Sequence, residues 1–104
     1  MKSILNLLGL ANRAGKLISG EETVIKKIQK REAILVLVAK DASLQTQKMF
    51  KDKCDFYKVT YRMFTSKDDI GKAIGKSPRS ACAIIDRGFG NKILSMIEQN
   101  YGGE

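Results

Sequence analysis

The sequence predicts an α/β protein, a three-layer α/β/α sandwich built on a small mixed four-stranded sheet. Three observations predict it. Helical and strand patterns alternate along the chain, residues 33–39 and 81–85 are apolar without a break, and residues 57–62 alternate apolar with polar side chains. A strand hidden on both faces reads as an unbroken apolar run, and hiding a sheet on both faces requires helices on both sides. With 104 residues the chain can bury one hydrophobic core, so residues 1–104 are expected to form a single domain.

Taken in order, Ile4, Leu5, Leu7, Leu8 and Ala11 form a helical stripe behind a Ser3 cap, and this first helix is predicted to stop at Ala14-Gly15. Residues 16–19 form a brief strand. Gly20-Glu21-Glu22 then opens a second helix, because acidic residues in a first turn complement the helix dipole and Val24, Ile25 and Ile28 share one face. Beyond the central strand at 33–39, Asp41-Ala42-Ser43 offers a cap for a helix over 44–53 that turns Met49 and Phe50 inward. The half-exposed strand at 57–62 carries Lys58 and Arg62, which suit a sheet edge. Ser66-Lys67-Asp68-Asp69 has the form of a capping box ahead of Ile70, Ala73 and Ile74, with Gly75 as terminator. The loop 75–80 leads to the second apolar strand, a last helix spans 91–100 on Ile93, Leu94 and Ile97, and residues 102–104 are expected to fray.

Nineteen Lys and Arg against eleven Asp and Glu leave a formal charge of +8. A polyanionic partner is the natural inference, nucleic acid ahead of a membrane surface, since neither a lipidation motif nor an amphipathic anchor helix accompanies the charge. The amino terminus lacks the unbroken apolar segment of a signal peptide, and the chain is expected in the cytoplasm. Cys54 and Cys82 read as buried free thiols. The chain has no histidine, no CxxC, no GxxxxGK[ST] and no GxGxxG, which argues against zinc, a Ser-His-Asp triad and a nucleotide cofactor; no cofactor and no catalytic residue are expected.

Ligands of open α/β sheets gather where strands end and helices begin, since helix amino termini present unpaired N–H groups there. Three junctions qualify: residues 19–22, residues 39–42, and the loop 75–80. If they meet at one end of the sheet, Lys26, Lys27, Lys30, Lys40, Lys76 and Arg79 rim exposed backbone N–H groups, a surface suited to phosphate. Plainer readings stand beside this one. Glu22 and Lys26 have the spacing of a surface helix pair worth about 0.2–0.5 kcal/mol, Gly20 can serve only a tight turn, and residues 76–79 can be a solvated connection.

The stretch Gly20-Glu21-Glu22-Thr23-Val24-Ile25-Lys26, then Lys30 and residues 33–42, resembles the L-seven-Ae family of ribosomal and kink-turn-binding proteins, its bacterial branch in particular. Residues 70–75, 81–86, 7–11 and 13–16 agree. The resemblance implies an α/β/α sandwich clamping the bend of a kink-turn, an internal-loop RNA with tandem sheared G·A pairs. It implies that the first turn of the second helix contacts those guanines, while the loop before the last strand covers the bulged nucleotides. The family motif Gly-x-Asn-Glu-x-x-Lys falls on Gly20, Glu22, Thr23 and Lys26, with Lys30 at a further basic position and Lys76, Ser77, Pro78 and Arg79 on the covering loop. Glu22 and Thr23 depart from it, so base recognition is expected to differ: Glu22 accepts from guanine N–H groups and Lys26 donates to guanine O6 or a phosphate.

The sequence therefore points to a non-enzymatic, monomeric binder of structured RNA, a kink-turn or ribosomal RNA, associated with the ribosome or translation. The rival reading is a ribosome-associated protein-interaction module without specific RNA readout. An RNA-modifying enzyme is disfavoured by the absence of a cofactor loop.

Overall fold

The computed structural model describes residues 2–101, so the fraying expected at 102–104 lies outside the described residues. The elements run α1 (Lys2–Arg13), β1 (Leu17–Ser19), α2 (Glu21–Gln29), β2 (Leu35–Val38), α3 (Leu44–Tyr57), β3 (Thr60–Met63), α4 (Lys67–Ala73), β4 (Ala81–Ile84) and α5 (Arg87–Tyr101). The four strands form one mixed sheet in the order β1-β4-β2-β3. The last strand is antiparallel to both its neighbours, with Ser19 and Leu37 opposite Cys82 and with Leu17 and Leu35 opposite Ile84, while β2 and β3 run parallel. Helix α2 packs on α3, and α1 packs on α4 and α5, each group also touching the strands. This is the α/β/α sandwich the sequence predicts.

Every residue of β2 and β4 is buried, as their unbroken apolar runs require. Phe50, Phe64, Ile4, Leu8, Ile28 and Leu35 are the large side chains that fill the layers on either side. Each is worth roughly 1.5–3 kcal/mol of transfer free energy. Strand β3 takes the edge place expected for its half-exposed pattern.

The four helices that precede strands end alike. The N–H of a left-handed residue just past the helix returns three residues and that of the residue after it returns five, as in Gly15 to Asn12 with Lys16 to Ala11, and Gly75 to Lys72 with Lys76 to Gly71. Helices α2 and α3 close the same way, through Glu32 to Lys27 with Arg31 to Ile28, and Val59 to Cys54 with Lys58 to Asp55. The motif requires a left-handed residue, supplied by Gly15, Arg31, Lys58 and Gly75, all at positive φ.

That geometry corrects several boundaries. Helix α3 runs past Lys53 to Tyr57, because Lys58 rather than a glycine makes its left-handed end. The edge strand accordingly begins at Thr60, not Tyr57. Helix α5 begins at Arg87 rather than Asn91, because the Asp86 carboxylate caps it by accepting from the Phe89 N–H at 2.9 Å. Ser3 lies inside α1, where its helical backbone does not suit a cap. The Ser66 cap holds, its hydroxyl accepting from the Asp69 N–H at 3.1 Å, but Asp69 accepts from the Thr65 hydroxyl at 2.6 Å instead of reaching back to Ser66. Among the described residues no helix is long and apolar enough to cross a membrane.

Cys54 and Cys82 are both buried and free. Burial pushes each thiol from its ordinary 9.0 up to about 12, helped at Cys54 by the Asp55 carboxylate. Below pH 9 the thiols are protonated in both folded and unfolded chains and their contribution is constant. Between 9 and about 12 only the unfolded chain ionises, so stability falls as pH rises. Urea denaturation should show this fall above pH 9, less steeply in a Cys54→Ala, Cys82→Ala double variant; identical slopes in the two proteins would show that the thiols do not contribute.

Candidate nucleic-acid interface

Helix α2 begins at Glu21 because Gly20 takes φ 96 and ψ 141, a conformation that side chains rarely adopt. A Cβ at Gly20 would meet no atom within 4 Å, so the backbone angle, not crowding, demands the glycine, and the space in front of the helix is open. No side chain caps α2. The N–H groups of Glu21, Glu22 and Thr23 therefore lack intrahelical acceptors and are available to an anion or a base edge.

The other two junctions are fastened to this one. The Gly20 N–H donates to the Ala81 carbonyl at 3.3 Å, the Ala39 N–H donates to the Ser80 carbonyl at 2.8 Å, and the Ser80 hydroxyl donates to Glu21 Oε2 at 2.9 Å. Behind them, the Lys40 N–H donates to the Thr65 carbonyl at 2.8 Å and the Lys67 N–H donates to Asp41 Oδ1 at 2.9 Å. The Arg79 N–H donates to the Lys67 carbonyl at 3.1 Å. A fourth crossing, residues 65–67, thus joins the three anticipated ones. The loop 75–80 is seated on α4 at Gly71, where an added Cβ would press into the Ser77 and Lys76 carbonyls.

The anticipated site residues divide between the two ends of α2. Gly20, Glu21, Glu22 and Thr23 form its first turn, and Lys40 and Arg79 come from the crossings bonded together there. Glu21 is committed to Ser80, whereas Glu22, Thr23 and Lys26 are exposed, and among the described residues Glu22 and Lys26 form no ion pair. Lys27 and Lys30 lie roughly two turns further along the helix. The Lys27 ammonium contacts Glu32 at 2.8 Å and holds that carboxyl below its ordinary range, with Lys30 adding to the effect. The Lys30 N–H donates to the Lys26 carbonyl at the helix end. On the covering loop Lys76, Ser77 and Pro78 are exposed, and the Arg79 guanidinium folds back onto the Ser77 hydroxyl at 2.7 Å and its carbonyl at 3.1 Å. Among the described residues no group of three or more His, Cys, Asp or Glu side chains is placed to hold a metal ion.

Three contributors were not legible: Ser80 as the bolt, Asp41 as the clasp on α4, and residues 65–67. Their partners lie 59 positions away for Ser80 and 26 for Asp41, and neither pairing leaves a local pattern. Gly71 lies in one of the resembling blocks, but its close approach to the Ser77 carbonyl leaves no mark on the sequence.

Residues 2–94 match the family described as Ribosomal protein L7Ae/L30e/S12e/Gadd45 family. RNA-binding protein YlxQ of Bacillus subtilis (strain 168) is 49% identical over 92 residues, covering 88% of this chain and 92% of that protein. The large ribosomal subunit protein eL8 of Thermoplasma volcanium is 31% identical over 100 residues, covering 91% of this chain and 83% of its own. Among solved structures, a protein of unknown function from Bacillus halodurans C superposes with a TM-score of 0.88 at 38% identity, over 91% of this chain and 96% of that one. The Giardia lamblia 15.5kD RNA binding protein superposes with a TM-score of 0.78 at 23% identity, over 91% and 82%, a likeness of fold.

Gly71→Ala should destabilise the protein by about 1–3 kcal/mol, as overpacking does, because the added methyl meets backbone carbonyls that cannot rotate away. Amide chemical shifts should move at Lys76, Ser77, Arg79 and Ser80 and at Glu21, across the Ser80 bond. A neutral substitution, with these resonances unmoved, would show that the loop is not seated through Gly71.

Proposed function

Because the chain belongs to the ribosomal protein L7Ae/L30e/S12e/Gadd45 family, we propose that it is a non-enzymatic RNA-binding protein of ribosomal type whose target is a kink-turn or a similarly bent internal loop. It acts as one monomeric domain in the cytoplasm, on ribosomal or translational RNA. The observation that carries the reading is the uncapped amino terminus of α2, open in front of Gly20 and fastened to the covering loop through the Ser80–Glu21 hydrogen bond. Relatives named for RNA binding and for the large ribosomal subunit support it.

In this reading the free N–H groups of residues 21–23 and the Glu22 carboxylate meet guanine edges in the widened groove. Lys26, one turn further on, donates to a guanine O6 or a phosphate. Lys40, Lys76 and Arg79 supply salt-dependent attraction to the backbone, and Ser77 and Pro78 cover the bulged nucleotides. Lys27 and Lys30, nearer the far end of α2, extend the attraction along the flanking duplex. Preorganisation favours binding, since the crossings are joined before RNA arrives and little backbone ordering remains to be done.

Three measurements test the proposal. A labelled kink-turn RNA should bind, and the same RNA with its G·A pairs changed to Watson–Crick pairs should not; equal affinities would reject shape-selective recognition. Lys26→Ala should weaken binding of the kink-turn by about 1–3 kcal/mol, the worth of a base-edge contact. Replacing Glu22 by Asn and Thr23 by Glu together should tighten it, by restoring an amide that both donates and accepts at position 22 and an acceptor carboxylate at position 23, with the charge of the turn unchanged. Looser binding by that double variant would mean that Glu22 is a positive determinant of a different RNA.

A further inference from the structure

The end of the sheet opposite Gly20 holds a cleft of about 390 Å³ between the start of β2, the start of β3 and the first turns of α5. Arg31, Lys58 and Arg87 all line it, and no Asp or Glu does. Among the described residues none of these three side chains forms an ion pair. Like charges drawn to one concavity without a counter-charge repel, and an anion relieves the repulsion.

The backbone sharpens the point. Of the four helices that end on a left-handed residue, α1 and α4 use glycine, whereas α2 and α3 place Arg31 at φ 58 and Lys58 at φ 62. Both exceptions put a long cation on the same cleft, where glycine would be less strained. The helix dipole favours a cation at a carboxyl terminus and so accounts for Arg31 and Lys58 individually. It does not account for Arg87, which stands at the amino terminus of α5 where a cation is disfavoured. Asp86 and Glu32 neighbour the cluster in sequence, but Asp86 caps α5 and Glu32 is bound to Lys27.

The rest of the lining is not that of a simple phosphate patch. Ile34, Val59 and Leu94 give the cleft an apolar part, and Tyr57 adds an aromatic ring that stacks edge-on against exposed Phe56 at 4.9 Å. Gly90 lets α5 come close, since a Cβ there would lie 2.8 Å from Ile34 Cγ2. Cations beside an apolar and aromatic wall, in a volume within the range of small-ligand sites, match a phosphate joined to a base. We propose that this cleft is a second site, separate from the α2 surface and independent of the kink-turn reading, that binds one unpaired nucleotide by its phosphate and base, either free or within single-stranded RNA.

Amide chemical-shift titration of the full chain with AMP, with single-stranded pentaadenylate and with inorganic phosphate tests it. Shifts at Lys58, Gly90 and Asn91, with AMP or pentaadenylate binding roughly ten-fold or more tightly than phosphate, support the site. Pentaadenylate binding much more tightly than AMP assigns the nucleotide to a strand, and equal binding assigns it to a free nucleotide. Equal binding of phosphate, no shifts, or shifts confined to residues 20–26 overturn the proposal. Arg87→Gln should weaken AMP by roughly ten-fold. Lys58→Gly separates binding from stability: it should raise the melting temperature, by relieving the left-handed backbone at φ 62, and still weaken AMP. Unchanged AMP affinity in both variants also overturns the proposal. Lys26→Ala should not alter AMP binding, and Arg87→Gln should not alter kink-turn binding, so failure of either site is read separately.

Discussion

The antiparallel seat of β4 between β1 and β2 is the constraint on which the rest of the molecule depends. A strand that runs against both neighbours begins where they end. The start of β4 must therefore lie beside the exit of β1 into α2 and the exit of β2 toward α3, and the loop 75–80 is delivered to that place whatever its sequence. Register finishes the placement: Ala81 pairs with Val38 and Cys82 with Ser19, so Ser80 falls between Ala39 and Glu21 and bonds to both. By the same geometry β4 ends where β2 begins, which brings the amino terminus of α5 to the turn after α2. The parallel pairing of β3 with β2 adds the turn after α3. Both ends of the sheet become composite surfaces from one topological choice.

The two ends are finished differently. At the α2 amino terminus, backbone N–H groups are the main asset and side-chain charge is mixed, with Glu21 fixed in place and Glu22 exposed beside Lys26. At the opposite end the side chains are the asset, and the charges that line the cleft are of one sign. Apart from Lys27–Glu32 at the end of α2, the ion pairs of the described residues lie elsewhere: Lys48–Asp52 and Lys51–Asp55 run along α3, and Arg62–Glu98 ties the sheet edge to α5. These are exposed pairs that contribute little to stability, so their effect is chiefly to neutralise the flank. What they leave is a surplus of positive charge over much of the remaining surface, a longer-range field that raises encounter rates with a polyanion without choosing its sequence.

Much of the fold was legible because it is written locally. Residues 33–39 and 81–85 announce buried strands, Ser43 and Ser66 announce helix starts, and Gly15 and Gly75 announce helix ends. The failures share a cause. Lys58 makes the end of α3 without glycine, so the helix reads four residues too short and Tyr57 is lent to the next strand. The last helix reads as starting at Asn91 because the two glycines of Arg87-Gly88-Phe89-Gly90 weaken a helix, yet Asp86 caps its true start and Gly90 is needed where α5 crosses Ile34. At the site, the residues at each junction could be named from sequence, since strand exits precede helix starts. Their meeting could not, because strand order is a long-range property, and neither could the cleft, whose three cations stand on separate turns.

Gly20 shows why the open helix terminus persists as a structural feature. A serine or aspartate at that position would cap α2 and satisfy one of its N–H groups, a gain over glycine of only a few tenths of a kcal/mol. The φ of 96 makes those residues costly there, and the hydrogen bond from the Gly20 N–H to Ala81 is part of what fastens β1 to the start of β4. A cap would thus trade the fastening of the sheet for the comfort of one helix. Because the same residue sets the strand exit and leaves the helix bare, the recognition surface is a direct consequence of how the sheet closes, and its donors are fixed by the core beneath them.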